Sequence, residues 1–222
     1  MKRFFVLFLC VFFSSFSVKA GYSWTYQAEG LGMSLLEGQF NLSEDSGNYT
    51  AVLQTQSKGI LSLFVDSKTA FFTRGIRKID AFYPTESYMI NTKKNRSRKR
   101  KVDLTQKDVL DYQTVVLNLL SQQVPTDAVY LISDGKRVMK ATFLYQGKQA
   151  EDDVYSVKID ILSGRKTGWF VEQMKTQENP LQIFISTDPD TKQRVLKKAL
   201  FNTGLLGKIV IYLIKGEHNE TP

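Results

Sequence analysis

The strongest candidate for binding chemistry is a basic stretch in the first half of the chain. Residues Lys93 to Lys101 include seven Lys or Arg in nine positions. If the stretch is a strand, alternate side chains share one face. That face would carry Lys94, Arg96, Arg98 and Arg100. A row of cations can bind phosphates, anionic lipid headgroups or lipopolysaccharide. The alternative is a solvated hairpin tip whose charges prevent pairing with another sheet edge.

Three aromatic residues near the start of the chain form a second candidate. Tyr22, Trp24 and Tyr26 alternate with polar residues, so a strand would place all three on one face. Such a face can line a ligand cavity, or it can pack against another element of the core.

The residue types disfavour several classes of enzyme. With one His and one Cys, a His-dependent catalytic site or a Cys-rich metal centre is not expected. Asp103, Asp108 and Asp111 surround the start of a predicted helix, where carboxylates suit the positive end of the helix dipole. No nucleophile motif or phosphate-binding loop occurs. We therefore expect no enzyme activity, no cofactor and no metal, and a hydrolase that uses carboxylates is the least favoured hypothesis.

The N-terminal segment is typical of a cleaved export signal. A basic start precedes the apolar run Phe4 to Phe13, and Val18 leads to a predicted cut between Ala20 and Gly21. The apolar run is too short for a bilayer, which needs about 20 residues. Cleavage would remove the one cysteine and lower the net charge from +8 to +5. A cysteine-free exported chain favours the bacterial periplasm, with no transmembrane segment in the mature protein.

The remaining sequence is predicted to be mainly β. Short alternating segments recur at intervals of about 8–12 residues, separated by turn signals. We expect a signal at 1–20, one β-rich domain at 21–215 and a disordered tail at 216–222. The domain would be a curved antiparallel β-sheet or open barrel of about 10–12 strands. The predicted strands include Tyr22 to Ala28, Ile60 to Val65, Val154 to Ile161 and Trp169 to Gln173.

One segment has helical spacing instead. Val109, Tyr112, Val116 and Leu119 recur every three or four residues. The preceding residues, 105–108, resemble a capping box, and a Pro at position 125 ends the pattern. The spacing predicts one α-helix near 107–122 that packs its apolar face on the sheet.

The order of these features resembles a bacterial exported family called domain of unknown function 3108. The resemblance covers nearly all of residues 21–215 and implies a periplasmic, mostly antiparallel β protein without an established activity. It depends on short signposts in a fixed order. They are Tyr22-Ser23-Trp24-Thr25-Tyr26, Lys58 to Phe64, Tyr83-Pro84, Asp134-Gly135-Lys136-Arg137, Phe184 to Asp188 and Arg194-Val195-Leu196.

These observations favour a non-enzymatic periplasmic binding protein for a lipid or amphipathic ligand at the cell envelope. Acyl chains would occupy the concave apolar face, and the basic strand would meet anionic lipid or another envelope component. The alternative is an envelope-assembly scaffold or interaction protein with a filled core and a basic docking edge. Nucleic acid is not an expected partner, because the mature charge is modest and the other cations are scattered. An apolar groove in the interior would favour the binding protein, and a filled interior the scaffold.

The export signal gives a first testable prediction. Expressed from its full sequence in a bacterial host, the protein should accumulate outside the cytoplasm with Gly21 as its first residue, as intact-mass measurement would show. Replacing Ala20 with Asp should block the cut, because the processing site requires a small residue there. An unprocessed mass that includes Met1 in the wild type would contradict the prediction.

Overall fold

The computed structural model describes residues 21–59, 62, 67–79, 81–93, 96–106, 108–164, 181–203 and 207–219. The predicted signal peptide and Lys94 lie outside these ranges. The predicted strand at 169–173 and nearly all of the one at 60–65 also lie outside them.

Thirteen strands of one sheet and one helix make up the regular elements of the described residues. The helix, α1, spans Tyr112–Leu120 and lies between the seventh and eighth strands along the chain. The strands are β1 (Gly21–Gly30), β2 (Met33–Asp45), β3 (Asn48–Ser57), β4 (Ser67–Lys78), β5 (Ala81–Lys93), β6 (Arg96–Lys101), β7 (Val109–Leu110), β8 (Ala128–Ser133), β9 (Arg137–Gln149), β10 (Asp152–Gly164), β11 (Leu181–Thr187), β12 (Arg194–Thr203) and β13 (Gly207–Asn219).

The sheet has the strand order β6-β5-β4-β3-β2-β1-β13-β12-β11-β10-β9-β8-β7. Every pair of neighbours is antiparallel except β7 and β8, which run parallel. A mainly β protein with one curved, mostly antiparallel sheet is therefore confirmed. β13 continues to Asn219, opposite Gly21, so the last strand extends into the tail that was predicted from 216.

One face of the sheet, the inner face, packs around α1. Side chains directly opposite one another on neighbouring strands point to the same face. The strand register therefore extends a single row of inner-face residues from the middle of the sheet to its β6 end. This row consists of Trp24, Phe40, Leu53, Phe71, Met89 and Arg100.

The helix begins at Tyr112, later than the predicted residue 107. Asp111 is its N-cap, and the carboxylate accepts the backbone N–H groups of Gln113 and Thr114 at 2.9 and 3.2 Å. Val109 and Leu110 pair with β8 instead, so they form β7 and cannot join the helix. The predicted cap was wrong because these two residues pair with another strand. A local sequence pattern does not reveal such a pairing.

Polar bonds and the buried Leu117 hold α1 to one half of the sheet, and apolar contacts hold it to the other. Asn118 accepts the backbone N–H of Phe82 at 2.6 Å and donates to its carbonyl at 3.1 Å, much as a neighbouring strand would. On the opposite side, Val115 and Leu119 are buried in a cluster formed mainly by β8 to β12. The helix therefore bridges the two halves of the inner face.

A glycine turn brings the two ends of the sheet together. Between β8 and β9, Gly135 adopts φ +76°, and a Cβ there would lie 2.6 Å from the carbonyl oxygen of Lys101 on β6. The same Cβ would approach the Arg100 side chain at 3.1 Å. The turn therefore packs against β6 at a distance that only glycine permits.

Substitution at Gly135 tests this close approach. Gly32 is a matched control, since it has φ +71° but no neighbouring heavy atom would lie within 4 Å of an added Cβ. G32A should cost about 1 kcal/mol of unfolding free energy from backbone strain alone. G135A should cost roughly 2–4 kcal/mol, because the clash with β6 adds to that strain. Equal losses in urea unfolding would show that the turn does not pack against β6.

Candidate ligand site

The two groups of predicted site residues lie on separate strands. Tyr22, Trp24 and Tyr26 belong to β1, in the middle of the sheet, whereas the cations belong to β6 at its end. Four strands separate them. Arg96 and Arg98 are exposed, while Arg100 is half-buried. The structure therefore does not bring the aromatic and basic groups into direct contact.

The basic stretch is a strand of its own that folds back on β5. Arg100 lies opposite Met89, and Arg98 lies opposite Asn91. The alternate arginines therefore share the inner face, as their spacing predicts. Lys99, between Arg98 and Arg100, takes the outer face, where its ammonium lies 3.8 Å from the Tyr88 ring centroid.

An apolar cavity of about 250 Å³ lies between α1 and the sheet. One face of the helix, with Tyr112, Val116 and Leu120 at intervals of four residues, forms one wall. Strands β1, β2, β3, β12 and β13 form the others, through residues that include Trp24, Tyr26, Ala28, Phe40, Leu53 and Ile211. The helix packs on the sheet as predicted, through Val115, Leu117 and Leu119, but part of its apolar face also borders this cavity.

The aromatic residues of β1 differ in what they contact. Trp24 stacks between Tyr22 and Phe40, with ring centroids 5.5 and 5.8 Å away. Trp24 and Tyr26 both line the apolar cavity, whereas Tyr22 does not. Burial, and secondarily the charge of Asp188, raises the pKa of the Tyr26 hydroxyl, so this group stays neutral. These two residues therefore bring aromatic surface to the cavity without charge, and the Glu37 carboxylate in its lining is paired with Lys58 at 2.8 Å.

A wider opening of about 540 Å³ adjoins the C-terminal end of α1. Trp24 and Leu120 line both this opening and the apolar cavity, so they stand between the two. Its cations already have partners: Arg77 pairs with Glu44 at 2.5 Å, and Arg194 pairs with Asp153 at 2.8 Å. The exception is Lys192, which is exposed.

The N-terminal end of α1 is fixed by a buried hydrogen-bond network. Thr114 donates to Asp111 Oδ2 at 2.8 Å, and its hydroxyl lies 2.8 Å from that of Tyr49 on β3. Thr73 on β4 lies 3.0 Å from Asp111 Oδ1 and 2.9 Å from Gln113 Oε1. Because all five residues are buried, the network ties the helix to β3 and β4 in one position.

Burial raises the pKa of Asp111 above its usual value. The hydrogen bonds from Thr114, Thr73 and Gln113 lower this pKa, but the effect of burial is larger. The Thr73 hydroxyl has one hydrogen, and it faces acceptors on both Asp111 and Gln113. A protonated Asp111 would supply a second hydrogen to this cluster. The direction of the pKa shift therefore agrees with the count of donors.

A third cavity, of about 150 Å³, lies beside this network. We refer to it as the polar cavity. Its walls combine the apolar side chains of β4 and β5 with polar groups from β5, β6, the helix start and the β8–β9 turn. The residues include Phe71, Ser87, Met89, Arg100, Gln113 and Asp134. Tyr112 and Gln113 line both this cavity and the apolar one, so the two cavities are neighbours with the first turn of α1 between them.

The carboxylates of the polar cavity have structural roles. Asp134 Oδ1 accepts the backbone N–H groups of Lys136 and Arg137, both at 2.8 Å, and Oδ2 lies 3.7 Å from the Arg137 guanidinium. The two Asp111 oxygens accept the bonds of the helix cap and of Thr114. With their oxygens occupied in this way, the pair does not support the hydrolase hypothesis, which needs a carboxylate able to reach substrate.

Gln113 is the site residue that sequence reasoning missed. It is only 6 % exposed, and its Nε2 has no hydrogen-bond partner among the described residues. Its one sequence signal is a polar residue in the first turn of an otherwise apolar helix. That signal is weak, since polar side chains are common near helix starts.

Two further observations concern metals and membranes. Within the described ranges, no three His, Cys, Asp or Glu residues are grouped so that they could hold a metal ion. Nor does any helix in those ranges have the length and apolar character to cross a membrane.

The buried carboxyl predicts a dependence of stability on pH. Because the pKa of Asp111 is raised, the folded protein keeps a proton that the unfolded chain loses above about pH 4. The unfolding free energy of the wild type should therefore fall relative to that of D111N as the pH rises from about 4 through the folded-state pKa. Urea unfolding at a series of pH values would measure the difference.

Asp103 is a control because its pKa is shifted in the opposite direction. Its bonds from Thr105 lower its pKa, so relative to D103N the wild type should lose stability only as the pH falls below about 4. A difference between wild type and D111N that does not change from pH 4 to 8 would contradict the assignment. D111A should be destabilised by roughly 2–4 kcal/mol, because it removes the cap and leaves buried hydroxyls without an acceptor.

No family model matches the chain, and no curated protein matches it. Among solved structures, the chain is similar to a beta-barrel-like protein of domain of unknown function 1849 from Brucella abortus. The sequences are 10% identical, the TM-score is 0.48, and the match covers 91% of this chain and 99% of that one. The resemblance to domain of unknown function 3108 stays a prediction.

Proposed function

We propose that this protein binds one slender apolar or amphipathic molecule in the apolar cavity between α1 and the sheet. The observation that carries the proposal is the cavity itself, of about 250 Å³, with aromatic and aliphatic side chains from five strands and the helix around it. Pockets that bind small ligands share this composition and start at about 300 Å³. A narrow chain suits the space better than a bulky, branched molecule.

The chemistry of the walls supports an apolar occupant. Water in a cavity is stable where it finds two to four polar partners, and the side chains from Trp24, Val116 and Leu53 offer few. An alkyl chain that leaves water for this cavity gains about 0.8 kcal/mol for each methylene group. A ligand of several methylenes would therefore bind through its chain alone.

The proposal includes the periplasm as the place of binding. The support is the N-terminal signal pattern and the predicted cut after Ala20. Binding at the cell envelope follows from the same support.

The scaffold alternative is less well supported by the interior. It requires a filled core, whereas α1 leaves a cavity along its Tyr112, Val116 and Leu120 face. Its basic docking edge corresponds to β6, whose exposed Arg96 and Arg98 stand at the end of the sheet. The same charges also serve to discourage edge-to-edge pairing.

Filling the cavity tests the proposed function. Val116 is half-buried on the cavity wall, and V116F places a phenyl ring in the space that the ligand would occupy. The neutral probe N-phenyl-1-naphthylamine should bind the wild type with enhanced fluorescence and should bind V116F about tenfold or more weakly. Unfolding free energy should change by less than about 1.5 kcal/mol, because the added ring enters existing space.

Val129 provides the matched control. It is 56 % exposed on β8, so V129F makes the same chemical change away from the cavity and should bind the probe as the wild type does. Native mass spectrometry of the purified wild type should also detect a co-purified apolar molecule that V116F lacks. Probe binding that is equal in wild type, V116F and V129F would overturn the proposed function.

A further inference from the structure

The Arg100 guanidinium has no salt-bridge partner among the described residues, although Asp111 and Asp134 line the same cavity. It is half-buried at the end of the inner-face row, and its side chain lines the polar cavity. Among the described residues it makes no hydrogen bond or ion pair. A partly buried cation without a partner costs free energy, and an anion beside it recovers that cost.

Gln113 supplies a second free group to the same cavity. Its amide is more than nine-tenths buried, and Nε2 has no acceptor among the described residues, while Oε1 accepts from Thr73 at 2.9 Å. A buried amide N–H₂ group without an acceptor costs free energy, which an acceptor atom of a ligand beside it would recover. Arg100 and Gln113 together therefore provide two kinds of donor within about 150 Å³.

The acidic groups in the same walls do not cancel Arg100. Asp134 is held by the backbone of its own turn and by Arg137. Asp111 is buried in the helix cap, where its oxygens accept bonds from the Gln113 and Thr114 backbone and from the Thr114 hydroxyl. Arg96 and Arg98, on the same face of β6, are exposed cations near Arg100. Arg100 is therefore the charged group of this lining that has no partner among the described residues.

We propose that the ligand is a straight-chain carboxylic acid whose carboxylate lies in the polar cavity between Arg100 and the Gln113 amide, with its alkyl chain in the apolar cavity. The inference rests on the proposed function and adds the chemical class of the ligand. Its geometric basis is that Tyr112 and Gln113 line both cavities. The proposed ligand would extend from one cavity to the other past these two side chains, with its charged end and its chain each in suitable surroundings.

The volumes indicate the length of the chain. A methylene group takes up about as much space as a water molecule, ~30 Å³ in the liquid. A cavity of about 250 Å³ therefore holds about eight methylenes. Decanoate, with one carboxylate and a chain of similar length, is a suitable probe, and 1-decanol is its uncharged counterpart.

The experiment compares decanoate with 1-decanol at pH 7.5, each as a displacer of N-phenyl-1-naphthylamine. Wild-type protein should bind decanoate about 10- to 100-fold more tightly, the range expected for hydrogen bonds to a charged group. R100M should lose this preference while its affinity for 1-decanol stays the same. R98M should retain the preference, because Arg98 is exposed on the same face of the same strand. Q113L should weaken decanoate binding by about tenfold or less, since it removes a neutral donor.

The two ligands separate failure of this inference from failure of the proposed function. If wild type binds decanoate and 1-decanol equally, and V116F weakens both, the apolar site stands and the carboxylate site is overturned. If R98M reduces the preference as much as R100M does, the effect is general surface charge, and the site is again overturned. If neither ligand displaces the probe, both proposals fail. The comparison of decanoate with 1-decanol on the wild-type protein needs no variant, so it tests the carboxylate site even if R100M does not fold.

Discussion

The concave side of the sheet has to be shielded from water, and α1 is the described element that lies there. Its nine residues give a rod about 14 Å long, whereas a strand of thirteen residues such as β2 extends over about 40 Å. One short helix cannot fill the space that such strands enclose. Where it lies, and which parts of the inner face it leaves uncovered, therefore determine where this protein can hold another molecule.

Hydrogen bonds fix both ends of the helix, while Val115, Leu117 and Leu119 pack it into the apolar core. Asp111 and Thr114 tie its first turn to β3 and β4, and Asn118 ties its last turn to β5. A shift of the helix toward β1 would close the apolar cavity, but it would break these bonds and leave buried polar groups unpaired. The apolar cavity therefore stays open where directional hydrogen bonds fix the helix.

The sequence predicts the class of fold well because its signals are local. Alternation identifies the strands, and Asp134-Gly135 marks the turn between β8 and β9. The predicted helix is present, but its start at Tyr112 depended on β7 pairing with β8, which no local pattern shows. The candidate site was predictable only in part. Strand spacing places Trp24, Tyr26 and Arg100 on one face, whereas the role of Gln113 depends on contacts between residues distant in the chain.

The strand order has a consequence for how the chain assembles. Read from β7 to β13 and then from β1 to β6, it is the order of the sequence itself, cut once between β6 and β7. All pairings except one join strands that are consecutive in the chain, and the exception joins Gly21 to Asn219. Each half can therefore form from neighbouring segments, but the seam between β1 and β13 must wait for the whole chain and bears the largest loop-closure entropy. A circular permutant with its ends joined at this seam and opened between β6 and β7 would have the same sheet with nearly every contact local.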